Sequence, residues 1–432
     1  MFEALFVEGL LKNTIKTIDN EAFINRNKMS AEDFTRDRKL LFKDLLVVLM
    51  SLTRPSVQTE LDRFFKAISK SPTSFESISK SAFTQSRRKL KPEAFIELAR
   101  TQLSYFEKNA PFKKYWNEHR VVSIDGSSLG LPNSEELKNE FGVARNQFDE
   151  LVTSRCSFAY DVCNGLILDA VIAPYNSCEK ELALAHLSQL DPAKDILVFD
   201  RGYPSQWLIG LLMQKGFKFC FRLSSSWKDG LELLDKDRCD VDWVLKRRSN
   251  KDLGKMKKYG IPNKLEGLRL VSIELPSGEK EILATNLINR EVFSIDELSY
   301  LYNLRWGVEE GYKLFKNVLH IEHFTGKTSQ AIKQDFFAKV FMFNMASMIG
   351  SQGRNRRKKK SKHKLQINKT QLIAKTKDFL TNIFYSNKLV KAVIQLLNLI
   401  NQRLEIVRPN RSFPRTDTSK RGRRRTINSK GI

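Results

Sequence analysis

The chain has little cysteine and no long apolar run. Its five cysteines, Cys156, Cys163, Cys178, Cys220 and Cys239, are odd in number and show no CxxC spacing. That argues against a disulfide framework and a zinc ribbon, and leaves reduced thiols as the simple reading. No apolar stretch approaches the roughly 18 residues of a membrane-spanning helix. The longest candidate, 45–50, suits a core helix. The opening Met1-Phe2-Glu3-Ala4 lacks the basic start of a secretory signal. Together these absences predict a cytoplasmic protein. Acidic residues are scarce beside basic ones: 49 Asp and Glu face 74 Lys and Arg, a formal charge of +25. Such a surplus favours a polyanion, nucleic acid above all, although a ribosome or a membrane surface would attract the same charge.

The 432 residues suffice for roughly two to four domains. Residues 1–110 read as helical, with Leu40, Leu41, Leu45, Val48 and Leu49 at helical spacing and breaks at Pro55 and Pro72. The basic patch Ser86-Arg87-Arg88-Lys89-Leu90-Lys91-Pro92 makes this region a candidate DNA-binding domain, without a helix-turn-helix signature. A packed bundle with a solvated basic face fits the same residues.

From Val121 the pattern changes. Residues 121–125 read as a buried strand ending at Asp125. Strands over 158–162 and 166–173 flank Cys163-Asn164-Gly165, which supplies an Asn-Gly hairpin turn. A helix is expected over 179–190. The apolar run 196–199, ending at Asp200, has the character of a central strand. Another helix over 204–215 and a strand over 217–223 follow. The order β-β-β-α-β-α-β predicts a mixed sheet with helices on its faces. Residues 225–293 read as a β-rich insertion holding Trp227, Trp243, the basic Lys246-Arg247-Arg248 and a turn at Pro276-Ser277-Gly278.

Ser294-Ile295-Asp296-Glu297 has capping-box spacing and should start a helix reaching about residue 319, with Gly307 and Gly311 as its weak points. On such a helix Tyr302, Arg305, Glu309 and Lys316 share an arc of about 60°. Leu301, Val308, Tyr312, Phe315 and Leu319 form the apolar stripe beside it. The arrangement would present Glu309 along the edge of a packed face. A solvated row of i, i+4 ion pairs such as Arg305 with Glu309 is the plainer reading.

Three blocks carry a resemblance. They are Ile124-Asp125-Gly126-Ser127, then Val198-Phe199-Asp200-Arg201-Gly202-Tyr203-Pro204, then Tyr302-Asn303-Leu304-Arg305-Trp306-Gly307-Val308-Glu309 continuing to Lys316. In order and spacing they resemble the DDE transposases of bacterial insertion sequences, in the branch with a Y-(2)-R-(3)-E-(6)-K signature. Ala284-Thr285-Asn286-Leu287 and Tyr160-Asp161-Val162 agree with it, and the likeness covers roughly 30–350. It implies an α/β ribonuclease H-like core with the strands of Asp125 and Asp200 adjacent. The expected layout is a helical N-terminal domain over 1–110, core over 111–224, β-rich insertion over 225–293, core again over 294–350, and a basic, partly helical region over 351–432.

The resemblance further implies that Asp125, Asp200 and Glu309 are catalytic and hold two Mg²⁺ or Mn²⁺ ions, Asp125 bridging them. Tyr302, Arg305 and Lys316 would contact DNA phosphates; Arg201 and Tyr203 would do so or pack the sheet edge. The expected reaction cuts at terminal inverted repeats, by a hairpin route, and joins the freed 3′-OH to target DNA. A homodimer on DNA and a nucleoid-associated bacterial location follow by the same analogy. A metal-dependent nuclease or resolvase without strand transfer is the nearest rival, and a non-catalytic DNA-binding relic the next.

Other features read more plainly. Trp227, Trp243 and Trp306 are candidates to stack on a flipped base, with core packing as the commoner role. His320 and His323 have HxxH spacing without further ligands, and Glu179 and Glu310 read as solvated or structural. Residues 354–364 hold eight basic residues in eleven, and 408–430 hold nine with one acidic. Both runs suit salt-sensitive DNA contact. Residues 365–407 between them read as helical and amphipathic.

Overall fold

A computed structural model of the chain describes residues 2–36, 38–52, 56–69, 76–145, 150–224, 226–229, 239–246, 252–275, 278–351, 365–402 and 404–407. Pro55, Pro72, Arg247, Arg248, Pro276, Ser277 and the basic runs 354–364 and 408–430 lie outside them.

One mixed sheet organises the centre. Its strands are β1 (Arg120–Gly130), β2 (Val143–Arg145), β3 (Glu150–Asp161), β4 (Leu166–Pro174), β5 (Asp195–Phe199), β6 (Lys218–Arg222), β7 (Asp240–Lys246), β8 (Lys264–Glu274) and β9 (Lys280–Thr285). They lie in the order β2-β3-β1-β5-β6-β9-β8-β7, with β4 paired to β3. β1, β5 and β6 run parallel, and every other pairing is antiparallel. The mixed sheet with helices on its faces agrees with the α/β order read from the sequence.

Local signals explain most of these elements. β5 is buried along its whole length, as an unbroken apolar run requires. Gly165, at φ 73°, closes the β3–β4 hairpin, in the left-handed region where glycine costs least. Two expectations need correcting. β1 does not end at Asp125 but continues to Gly130 against β3. A short helix, Glu135–Phe141, and β2 also precede β3, where no element was expected. The strands over 240–285 extend the same sheet through the antiparallel β6–β9 pairing.

Helices cover the sheet. Among the described residues six precede it: Phe2–Ile18, Glu21–Asn27, Phe42–Ser51, Val57–Ile68, Lys80–Arg87 and Glu93–Asn109. The helix Ser329–Gly350 is buried along nearly its whole length and packs against Glu93–Asn109, Phe42–Ser51, β4 and Lys369–Asp378. A helix apolar on all sides belongs inside a core. On the side of β4 away from β3, the Asn344 amide accepts from Ile167 N and donates to Ile167 O, both at 2.8 Å, so that edge is satisfied rather than left open.

Arg87, expected in a DNA-facing patch, is instead 4% exposed. It is bound to Asp335 at 2.8 Å, Gln334 at 2.9 Å and Thr325 at 2.8 Å. A buried guanidinium needs this many partners to offset its lost hydration. Beyond residue 365 the helices Lys369–Asp378, Leu380–Tyr385 and Leu389–Gln402 agree with the helical reading, joined by a small strand pair, β10 (Leu365–Ile367) with β11 (Leu404–Ile406). No described helix is long and apolar enough to cross a membrane.

Candidate active site

The parallel pairing of β1 with β5 brings two carboxylates together. Its register, Val122 with Leu197 and Ser123 with Val198, continues to Asp125 beside Asp200 just where β5 ends. Residues 75 positions apart thus meet in the middle of the sheet, where β5 ends, through a ladder of backbone bonds. Burial, and then the charge of Asp200, push the Asp125 carboxyl up to about 7. The Gly126 N–H, donating to Asp125 Oδ1 at 2.9 Å, and the Arg305 charge act the other way. Gly202 N donates to Asp200 Oδ1 at 2.8 Å. A Cβ on Gly202 would sit 3.1 Å from that oxygen, so the bare backbone is what lets the turn close on its carboxylate.

The backbone of Asp125 is held from two sides. Tyr312 OH donates to Asp125 O at 2.8 Å while its ring stacks on Phe158 with centroids 4.5 Å apart. Ser157 Oγ donates to the same carbonyl at 3.3 Å.

The third expected carboxylate arrives on a helix, but not the continuous one anticipated. The segment divides into Ile295–Leu304, capped by Ser294 as the spacing implied, and Trp306–Asn317. At the junction Arg305 N bonds Tyr302 O and Val308 N bonds Arg305 O, the tighter i to i+3 pattern. Arg305 itself keeps helical dihedrals, and it touches both the Tyr302 ring and Glu309 across the junction. Tyr302 turns into the apolar cluster of Val121, Ile196 and Val198, whereas Val308, Tyr312 and Phe315 join the one around Phe158. Gly307 and Gly311, expected as weak points, are where this helix meets β3. A Cβ on Gly311 would lie 3.0 Å from the Tyr160 ring, and one on Gly307 would lie 3.2 Å from Val162 Cβ.

Glu309 Oε1 accepts from Arg305 Nη2 at 3.1 Å. Arg305 is 6% exposed, with its guanidinium 4.8 Å from the Trp306 ring centre and 5.6 Å from that of Tyr302. Its Nε is buried without a partner. Lys316 Nζ donates to Ser128 O at 2.9 Å, on the strand that carries Asp125. Among the described residues no three His, Cys, Asp or Glu side chains gather as a ready metal cluster. The oxygen-only donors suit a hard divalent ion, and the crowded Asp125–Asp200 pair fits one. Glu309 stands with Arg305 instead.

The remaining predicted residues are dispersed. Arg201 is exposed beside Asp200. Tyr302 is 3% exposed and Tyr203 1%, so both rings are packed inside. The Tyr203 hydroxyl has no partner, and burial, then Asp125, Glu179 and Asp200, push its ionisation well above the usual tyrosine range. Glu179, which the sequence suggested was solvated or structural, therefore faces the site. It ion-pairs with Arg155, its Cδ would be 3.3 Å from a Cβ on Gly126, and its charge raises Asp125. Its place at the start of the helix Glu179–His186 was foreseeable; its approach to β1 was not.

Trp306 is 42% exposed, whereas Trp243 is 6% exposed, donates to Asp229 and meets Trp227 edge-on. His320 and His323 stack at 5.0 Å while their carbonyls accept from buried Lys339. All five cysteines are free.

A family described as "Transposase DDE domain" matches residues 116–345, a span that includes Asp125, Asp200, Arg305, Glu309 and Lys316. A solved structure titled "Cryo-EM structure of piggyBac transposase synaptic complex with hairpin DNA (SNHP)" aligns at 12% identity and a TM-score of 0.42, covering 97% of this chain and 87% of that one. No curated protein matches.

Proposed function

Because the chain belongs to the transposase DDE domain family, we propose that it is a DNA transposase that cuts at the terminal inverted repeats of a mobile element and joins the freed 3′-OH to target DNA. The observation that carries this reading is the pair Asp125 and Asp200, set side by side at the ends of parallel strands in the matched domain. Asp125, pushed to about 7, is part of an acidic pair whose repulsion a proton or a cation relieves.

Asp125 and Asp200 would hold divalent metal directly, with Glu309 joining after leaving Arg305. When bound, Mg²⁺ polarises the scissile phosphate and stabilises charge on the attacking and leaving oxygens. The protein's own groups do the rest. Tyr312 and the β1–β3 ladder hold the Asp125 backbone still. Once released from Glu309, Arg305 has a guanidinium for a phosphate oxygen, and its unpaired Nε is a further donor. Lys316 and exposed Arg201 supply further charge for the backbone of the DNA end. Tyr302 acts from inside, its buried ring beneath Arg305, and Tyr203 is buried close to the two aspartates. The helices before residue 110 and the basic runs after 351 would add sequence-independent affinity, and a homodimer would pair two ends.

The test is incubation of purified protein and an Asp200→Ala variant with Mg²⁺ and a labelled duplex bearing the flanking inverted repeat. The expected result is metal-dependent cutting at the repeat end, lost in the variant, followed by joining of that end to a second DNA. Cutting without joining would replace this reading with a nuclease, and binding without chemistry in either protein would replace it with a DNA-binding relic.

A further inference from the structure

A chain of buried polar side chains runs to Asp125 from the far side of the sheet. His186 ends the helix Glu179–His186 and is 0% exposed. Its Nδ1 lies 2.7 Å from Asp169 Oδ2 on β4, and its Nε2 lies 2.9 Å from Ser157 Oγ on β3. Ser157 Oγ in turn reaches Asp125 O on β1 at 3.3 Å. The three strands are neighbours, with Asp125 opposite Phe158 and Phe158 opposite Ala170. The relay therefore crosses the sheet from its β4 side to the carboxylate-bearing strand.

An Asp–His–Ser sequence of contacts has the connectivity of a hydrolase triad. Here Ser157 is 0% exposed, so no substrate reaches its hydroxyl. The same bonds serve orientation instead. A carboxylate on Nδ1 fixes the imidazole ring and its tautomer. Ser157 has one proton and two lone pairs, so the ring's proton placement decides whether that proton goes to Nε2 or to the Asp125 carbonyl. Tyr312 already donates to this carbonyl. With a proton on Nε2 the ring donates to Ser157 Oγ, the serine proton is left for the carbonyl as the 3.3 Å contact has it, and the two hydroxyls together then fix the peptide plane from which the Asp125 side chain projects.

We propose that Asp169, His186 and Ser157 are positioning residues that set the orientation of Asp125 for metal binding. The inference rests on the reading of Asp125 as a metal-holding carboxylate. Partners that orient a ligand are commonly worth about 10- to 100-fold in metal affinity or activity.

The test uses the full-length chain as wild type, Ser157→Ala, Asp169→Asn, His186→Ala and His186→Gln. Mn²⁺ binding is followed by electron paramagnetic resonance without DNA, unfolding by circular dichroism, and cleavage of the repeat duplex separately. Expected are folded variants in which Ser157→Ala and Asp169→Asn weaken Mn²⁺ binding by about 10-fold or more. His186→Gln, whose amide can donate toward Ser157, should recover part of what His186→Ala loses. If Ser157→Ala does not fold, Asp169→Asn, at the less buried end, carries the same comparison. Folded variants with Mn²⁺ affinity within about twofold of wild type would overturn the proposal, as would a His186→Gln no better than His186→Ala. A wild-type protein that neither binds Mn²⁺ nor cuts would remove the underlying reading of Asp125, a result plainly different from selective failure of the variants.

Discussion

The site is built in two ways. Asp125 and Asp200 are held by a β-ladder whose register leaves them little choice but to face each other. Glu309 sits on a helix that begins just after a break, and is held by Arg305 at 3.1 Å. The sheet-borne half is buried and also crowded with like charge, and Asp125 rises to about 7. The helix-borne half carries its own counter-charge. Rigid strands can therefore hold two acids in an unfavourable arrangement, whereas the acid on the helix keeps a cation beside it. On the proposed reading, bringing Glu309 to the pair would be a contest between Arg305 and a metal for that carboxylate.

The largest expected effect comes from removing a member of the rigid half. Asp200→Ala should lower cleavage by at least about 10³-fold, since metal stabilisation of several kcal/mol converts at about 1.4 kcal/mol per tenfold. The metal-free fold should survive, because the change also removes a repulsion. A gel assay of cleavage beside a denaturant melt checks both. A variant that loses stability as well as activity would show the pair to be structural.

Asp125 also gives that half a pH signature. Its folded value near 7 lies above an unfolded value of about 4. The folded state thus holds a proton that the unfolded state has released, and stability from this group is present below about pH 4. It is lost as pH rises through about 7, by an amount on the order of a few kcal/mol. Urea unfolding in chelator from pH 5 to 8 should show this slope in wild type and lack it in Asp125→Asn. A slope unchanged in the variant would assign it elsewhere.

On the helix side, Gly311→Ala should cost about 1–3 kcal/mol, the range for an overpacked contact, because its Cβ would meet Tyr160 at 3.0 Å. Cleavage should fall more than the stability loss accounts for, since the same displacement moves Glu309. A variant with normal cleavage would show that helix placement is loosely tolerated.

The two halves were unequally legible in the sequence. The run 196–199 and its terminal Asp200, the Asn-Gly turn and the Ser294 cap are local signals, and each emerged as a strand, hairpin or cap. The break at Arg305 was invisible because no proline marks it and Arg305 itself keeps helical dihedrals, φ −51° and ψ −35°. Also hidden was the depth of Tyr302, which packs beneath Arg305 in the cluster of Val121, Ile196 and Val198 while Glu309 bonds the same guanidinium from the next turn. The extension of the sheet by β7–β9 was equally hidden, since alternation reveals a strand but not its partner. Ser157, Asp169 and His186 meet only through β3–β4 pairing and a helix lying across it. None of the three has a local motif to announce it.

Glu179 offers the smallest expected effect and the sharpest distinction. It lies close enough to raise Asp125 and Tyr203, yet it has a cation of its own in Arg155. If it is only a neighbour, Glu179→Gln removes a charge and leaves the ligand set alone. Mg²⁺-dependent cleavage should then change by no more than about threefold, roughly half of the 1.4 kcal/mol that tenfold represents. The pH slope from Asp125 should shift slightly downward, because one of the charges raising it has gone. If Glu179 is instead a ligand, cleavage and Mn²⁺ binding should collapse together, as for Asp200→Ala, while Glu309→Gln should be mild. Measuring both glutamine variants at several Mg²⁺ concentrations decides which glutamate completes the sheet-borne pair. A collapse in Glu179→Gln would move the third carboxylate from the helix after Arg305 to the helix beside β1, and would leave Glu309 as the counter-charge that keeps Arg305 in place.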